Sequence, residues 1–277
     1  MEPGTHPALK SHMALLDPNV GVFCDNTRDA VKGDAFLEHV PGFVNGGKGL
    51  EQSILHAAAG WKEGDRDFAP KSCSQIVNYV SAHDNFTLWD KLVMCLPERE
   101  AAPDFVRPRE DALAQNRLAA FIYFTCQGHL FLQAGEEFGR TKLGEGNSFC
   151  SPPELNRLDW ARAERFASLT DYYRELIRLR KSLPGLCDKS PDAGERITDR
   201  TVHRPGTVSF QVRQGGPRGE TLLVVYNACA EAFSLSLTGG GWTVRADGRS
   251  AGLSRPVESG PVTVQPCSGM LLWRELD

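Results

Sequence analysis

No stretch of this sequence approaches the ~20 consecutive apolar residues that a membrane-spanning helix requires, which argues against an integral helical membrane protein. It has no surplus of positive charge either. Lys+Arg 31 against Asp+Glu 35 leaves a formal net charge of −4, so neither nucleic acid nor an anionic membrane is the expected main partner. C-x-x-C pairs and histidine clusters are missing, which leaves the eight cysteines without a zinc-type spacing or a disulfide framework. Cys24, Cys73, Cys95, Cys126, Cys150, Cys187, Cys229 and Cys267 are spread almost evenly, mostly inside apolar runs. They are expected to be buried free thiols, which leans towards a reducing compartment. The opening MEPGTHPALK lacks the apolar core of a secretory signal, and a cytoplasmic location is the expectation. Internal repeats, low-complexity tracts and calcium loops of the EF-hand type are also absent, and no cofactor is indicated.

What is present is ordinary globular composition, 41% hydrophobic and 24% charged over 277 residues, enough for a substantial core in one or two domains. Residues 1–185 and 186–277 differ in texture. The first part alternates short apolar runs with amphipathic stretches. Val20 to Cys24, Ile76 to Val80 and Leu130 to Ala134 read as strands, each ending in polar residues: Asp25-Asn26, His83-Asp84-Asn85 and Glu136-Glu137. Helical spacing marks Asp111 to Gln127 and about Glu164 to Ser182, the latter stopped by Leu183-Pro184-Gly185. Near-continuous apolar strands alternating with helices predict a covered parallel sheet, with the active site at the carboxyl ends of the strands.

After Gly185 the sequence breaks into short β-type runs: Thr207–Arg213, Thr221–Asn227, Phe233–Leu237, Trp242–Ala246, Val262–Val264 and Met270–Arg274. Turns are predicted at Gly215-Gly216, Gly239-Gly240-Gly241 and Asp247-Gly248. Short strands without a helix predict a small antiparallel β-sandwich.

Three blocks carry more than pattern. IVNYVSAHDNFTLWDKL (76–92) resembles the fourth signature region of the α-amylase superfamily of glycoside hydrolases, in the form found in type I pullulanases and related debranching enzymes. GHLFLQAGEEFGRTKLGEGNSFCSPPELNRLDW (128–160) resembles their last barrel strand and the loop after it. GVFCDNTRDAVKGD (21–34), followed by Gly42-Phe43-Val44-Asn45-Gly46, is similar to an earlier strand block. The resemblance implies an α/β fold: the carboxyl-terminal part of a (β/α)₈ TIM barrel, about its last three βα units, in residues 1–185, then an all-β sandwich in 186–277. It also implies retaining hydrolysis of α-1,6 linkages in α-glucans such as pullulan, glycogen or starch limit dextrins. An isoamylase-like or glycogen-debranching specificity stands as an alternative, as does a non-catalytic glucan-binding or complementing subunit.

Retaining hydrolysis uses a nucleophilic carboxylate and a carboxylic acid about 5–5.5 Å apart. The family adds a third carboxylate, which Asp84 matches; His83 matches the histidine that hydrogen-bonds the sugar beside the cleaved bond. Asn147, Asn156 and Arg157 match positions that could line the substrate cleft, while Asn156 could equally cap the turn into Leu158-Asp159-Trp160. Phe149, Cys150, Pro153 and His129 depart from the pattern and put fine specificity in doubt. The segments that carry the nucleophile and the general acid, of G-F-R-x-D and G-E-G-W type, do not occur. A whole barrel takes about 250 residues. The chain is therefore expected to be a carboxyl-terminal portion, inactive alone, whose partner is the missing amino-terminal half of the barrel. Calcium, sometimes carried by the family, is not indicated. Glu136 and Glu137 are expected to be structural rather than replacement catalysts, Asp25 and Asp29 to pair around Arg28, and Trp89 and Trp160 to pack in the core.

Overall fold

The computed structural model describes residues 9–64, 68–96, 103–215 and 219–275. Three short parallel strands, β1 (Val22–Phe23), β2 (Ile76–Asn78) and β3 (His129–Leu130), lie in the order β1-β2-β3. Val22 stands opposite Ile76 and Val77 opposite His129. The ladders are shorter than the apolar runs suggest, because among the described residues β1 and β3 each pair on one side only. Cys24 N–H to the Val77 carbonyl (3.0 Å) and Phe131 N–H to the Asn78 carbonyl (2.9 Å) carry the pairing slightly further.

Each strand feeds helical structure, as parallel pairing requires. After β1 come α1 (Asp25–Lys32) and α2 (Glu51–Ala58); after β2 come α3 (Leu88–Met94) and α4 (Glu110–Thr125). After β3 come α5 (Pro153–Asn156), α6 (Trp160–Arg165), α7 (Ala167–Lys181) and α8 (Pro184–Cys187). The single helix predicted from Glu164 is thus two, broken at Phe166. That ring is buried edge-on against Trp89 at 4.9 Å and lies under the Arg162 guanidinium at 4.3 Å. Packing of one aromatic overrides helical continuity here. Pro184 ends nothing by itself: α7 stops at Lys181, and the proline opens α8, where its missing N–H costs no helical bond.

The remaining strands are β4 (Ile197–Arg204), β5 (Thr207–Gly215), β6 (Glu220–Asn227), β7 (Phe233–Leu237), β8 (Trp242–Ala246), β9 (Ala251–Val257), β10 (Gly260–Val264) and β11 (Ser268–Arg274). They form a long antiparallel sheet, β4-β5-β6-β11-β8-β9, and a two-stranded one, β7-β10. Gly239 and Gly241 take positive φ in the predicted turn between β7 and β8, whereas Gly216 lies outside the described residues. Period-two alternation decides which core each side chain joins. Leu222, Val224, Tyr226 and Leu271 face the helices; Val225, Met270, Leu272 and Val244 face the small sheet.

The helix-facing side is continuous with the core of the first part. Phe121 of α4 meets the Tyr226 ring edge-on at 5.8 Å, and Thr125 Oγ1 lies 2.6 Å from the Tyr226 hydroxyl. Gly269 permits this approach. A Cβ there would fall 2.0 Å from Phe121 Cδ1, so only glycine lets β11 sit against α4.

Candidate active site

His83-Asp84-Asn85 follows β2 at its carboxyl end, and the structure holds this turn from both sides. Asn78, fully buried at the end of β2, accepts from Thr27 Oγ1 (3.0 Å) and donates to the Gln127 carbonyl (2.7 Å), tying the strand to its neighbours. Beyond it the chain must turn sharply. Asn85 takes φ of 59°, a left-handed conformation that asparagine tolerates better than most residues. Thr87 then caps α3 by accepting from Asp90 N–H at 3.1 Å.

Two lysine ammoniums grip the turn. Lys142 Nζ donates to the His83 carbonyl at 2.6 Å and Lys32 Nζ to the Phe86 carbonyl at 2.8 Å. The carbonyls on either side of Asp84-Asn85 are therefore fixed by lysine bonds from different elements, which limits drift of the carboxylate between them. Burial lowers the pKa of both lysines, that of Lys32 to about 7; Asp84 acts the other way on Lys142. Asp90 joins the same framework: its carboxylate accepts from Thr141 Oγ1 (2.5 Å) and Lys142 N–H (2.8 Å), and burial raises its pKa. His83 and Asp84 themselves are exposed, held in position yet open to a ligand.

The loop from Arg140 to Leu158 packs beside this turn. Gly146 lies close against the Phe86 ring, and Arg140 Nη2 donates to the Asn156 carbonyl at 2.6 Å. The half-buried Asn156 amide donates to the Ser148 carbonyl (2.7 Å) and accepts from Ser148 Oγ (2.8 Å), so it staples its own loop rather than capping the next turn. Asn147 and Arg157 are exposed on that loop. The structure thus joins the segment carrying His83 and Asp84 to the one carrying Asn147, Asn156 and Arg157 through Lys142, Asp90 and Phe86. None of those three connecting residues stands out in the sequence; a lysine three residues past a glycine looks like surface.

Other carboxylates are occupied. Glu136 is 3% exposed and accepts from Ser81 Oγ (2.6 Å), Tyr123 OH (2.8 Å) and Tyr173 OH (3.1 Å). Burial pushes its pKa up to about 7 against the opposing pull of those hydroxyls and Lys32. A pKa near neutrality suits a general acid, but a sealed carboxyl cannot reach a substrate, and its role is to join the end of β2 to α4 and α7. Glu137 closes its own turn, accepting from Gly135 N–H at 2.9 Å. Asp25 and Asp29 flank Arg28, whose Nε donates to Asp29 at 2.7 Å, and Tyr79 OH donates to Asp25 at 2.6 Å. Trp89 is buried as expected. Trp160 is not: it stands 66% exposed, its ring 5.8 Å from Phe138, because α6 opens at the surface.

All eight cysteines are free; Cys24, Cys73 and Cys126 are buried and Cys150 is exposed. Among the described residues no group of three or more His, Cys, Asp or Glu could hold a metal ion, and no helix is long and apolar enough to cross a membrane.

No protein-family model matches the chain. Among curated proteins, it is 41% identical over 169 residues to a pullulanase of Bacillus subtilis, covering 60% of this chain and 22% of that protein. It is 28% identical over 206 residues to a glycogen debranching enzyme of Yersinia enterocolitica, covering 62% of this chain and 30% of that protein. Among solved structures, a pullulanase from Paenibacillus barengoltzii in complex with maltohexaose and α-cyclodextrin superposes with a TM-score of 0.85 at 36% identity. That match covers 97% of this chain and 41% of the other. The type I pullulanase of Bacillus subtilis complexed with maltose gives 0.85 at 29% identity, over 97% of this chain and 37% of the other. The chain therefore spans well under half the length of these relatives.

Proposed function

From its match in sequence and fold to type I pullulanases of glycoside hydrolase family 13, as a carboxyl-terminal portion, we propose that this chain supplies one side of an α-glucan debranching site. The reaction is retaining hydrolysis of α-1,6-glucosidic linkages. Asp84 accepts hydroxyls of the distorted sugar and strengthens those bonds as oxocarbenium charge develops, and His83 donates to the same ring. Such an acceptor stabilises the transition state selectively only if it does not have to move into place, and the two lysine bonds around it meet that need. The observation that carries the reading is this exposed, doubly anchored His83-Asp84 pair at the carboxyl end of a parallel strand. Asn147 and Arg157 extend the glucan contact along the neighbouring loop, whose shape Asn156 holds through Ser148. The maltooligosaccharides in the Paenibacillus and Bacillus complexes support an α-glucan as ligand.

The nucleophile and the general acid belong to a complementing half of the barrel, because the buried Glu136 and the paired Asp25 and Asp29 are unsuited to either role. Phe23, Tyr79 and Phe131, at or just past three neighbouring strands, form an edge-to-face trio with centroids 5.0–6.4 Å apart. Phe23 and Phe131 remain partly exposed, a face that further barrel strands would cover.

Reducing-end release from pullulan by the purified chain, with Asp84→Asn as control, tests the assignment. No release above the control is expected for the chain alone. Activity is expected on adding the upstream half of a pullulanase and should fall by about 10²-fold or more in Asp84→Asn, as when a unit of catalytic groups is broken. Turnover by the chain alone, abolished by Asp84→Asn, would overturn the division of labour. The match to a glycogen debranching enzyme keeps glycogen specificity in view; rates on glycogen and pullulan in the complemented enzyme separate the two. Retention on immobilised glucan with no activity after complementation would favour a binding subunit.

A further inference from the structure

A cavity of about 670 Å³ lies between α4 and the turns of the long sheet, within the range that small organic ligands occupy. Its wall carries Arg117 from α4, Arg249 from the β8–β9 turn and Arg255 from β9, together with Glu110, Asp111 and Asp247. By count these charges cancel. By hydrogen-bond accounting they do not.

Two of the three carboxylates are supplied from elsewhere. Asp111 takes both Arg109 Nε (3.2 Å) and Nη2 (2.8 Å) and the Ala112 amide (2.8 Å). Asp247 Oδ1 takes the amides of Arg249 (3.0 Å) and Ser250 (3.1 Å), leaving Oδ2 a long 3.5 Å contact with Arg255. Glu110 stands 87% exposed at the rim, and its carboxylate is 3.8 Å from Arg117 Nη2, beyond hydrogen-bond reach.

Arg117 keeps only its long ion pair with Glu110 and Arg255 its contact with Asp247, so Arg249 and the Nε of Arg117 are the donors left over. The Arg117 side chain is only 11% exposed, and its Nε is buried without a partner. Among the described residues the Arg249 side chain has no ion pair or hydrogen bond, and its charge opposes that of Arg117. Burial first, and then this like charge, weaken the hold of Arg117 on its proton, against the pull of Glu110. An unmet buried donor of this kind is costly, and a planar guanidinium matches the oxygens of a phosphate. Aromatic rings, on which a bare sugar would stack, do not occur in the described lining.

We propose that this cleft binds a phosphate group, as the free ion or carried by a small monoester, with Arg117 and Arg249 as its guanidinium clamp. The volume exceeds what one phosphate fills, and Thr263 and Gln265 offer polar contacts to an attached polyol. The site uses neither His83 nor Asp84 and stands independently of the debranching assignment.

Equilibrium dialysis of the 277-residue chain against inorganic phosphate and against glucose 6-phosphate tests it, with glucose as a neutral control. Saturable binding at one site per chain is expected, weakened tenfold or more in Arg249→Ala and in Arg117→Gln. Arg249 is exposed, so its replacement leaves the fold intact and keeps the test valid if Arg117→Gln alters the far-UV dichroism. Tighter binding of glucose 6-phosphate would identify a monoester as the ligand, and equal binding would identify the free ion. Failure of both probes to saturate, or binding to which Arg249→Ala is indifferent, would overturn the proposal.

Discussion

Glu136 lies where three hydroxyls converge, and its proton has a consequence for stability. Its folded pKa, about 7, is raised above the ordinary 4.5 chiefly by burial. Between those values the folded chain keeps a proton that the unfolded chain has released. The associated stability is full below about pH 4.5 and is lost as pH rises towards 7. Lys32 has the opposite sense: burial lowers it from 10.5 to about 7, so its contribution grows as pH rises from 7 towards 10.5. Together the two place a local minimum near neutrality. Glu136→Gln is expected to remove the acid-side fall. Urea midpoints at pH 5 and pH 7 should differ less in the variant than in the parent; equal differences would assign the buried proton to another group. Such a residue was half legible in the sequence. Its place in the Q-A-G-E-E run of the resembling block suggested a structural role, but the Ser81, Tyr123 and Tyr173 hydroxyls come from three other segments, and no local pattern announces their meeting. His83 and Asp84 are the reverse case, singled out by the resemblance of the block 76–92 that carries them rather than by the three polar residues alone. The lysines that anchor them, 32 and 142, come from either side of the segment and were not visible.

At the scale of elements, legibility followed burial. The six predicted strands of the second part all form, while β4 and β9 were missed. These are the two edges of the long sheet, and edges are polar by design: ITDRTVHR buries only Ile197, and AGLSRPV contains Pro256, which central strands exclude. An alternation rule reads only strands with one covered face. The contact between α4 and β11 was likewise out of reach, since it depends on a missing side chain. Gly269→Ala is expected to drive a methyl into the Phe121 ring and to force helix and strand apart, at a cost of about 1–3 kcal/mol as for other overpacked cores. A lowered denaturation midpoint would show this, and pairing with Phe121→Leu should recover part of the loss. If Gly269→Ala melted like the parent, the close approach of α4 to β11 would be wrong.

On the whole-molecule scale, two surfaces of one sheet system have different fates. The long β-sheet is covered on one face by helices and on the other by β7 and β10. The parallel sheet has open edges: among the described residues β1 and β3 each have one strand neighbour, and Phe23 and Phe131 remain partly exposed. Unpaired strand edges beside partly exposed rings favour association with another chain. The helices and the antiparallel sheet should therefore hold their structure while the open edge drives self-association. Size-exclusion chromatography with light scattering at rising concentration is expected to show oligomers, and Phe23→Lys or Phe131→Lys on the open face to reduce them. A complementing barrel half should compete with this association, because it would occupy the same edges, and the oligomers should fall away as activity appears. A chain that stays monomeric at high concentration and still unfolds in one sharp transition would show that the open face needs no cover. The case for a partner would then rest on the proposed placing of the nucleophile and general acid outside this chain alone.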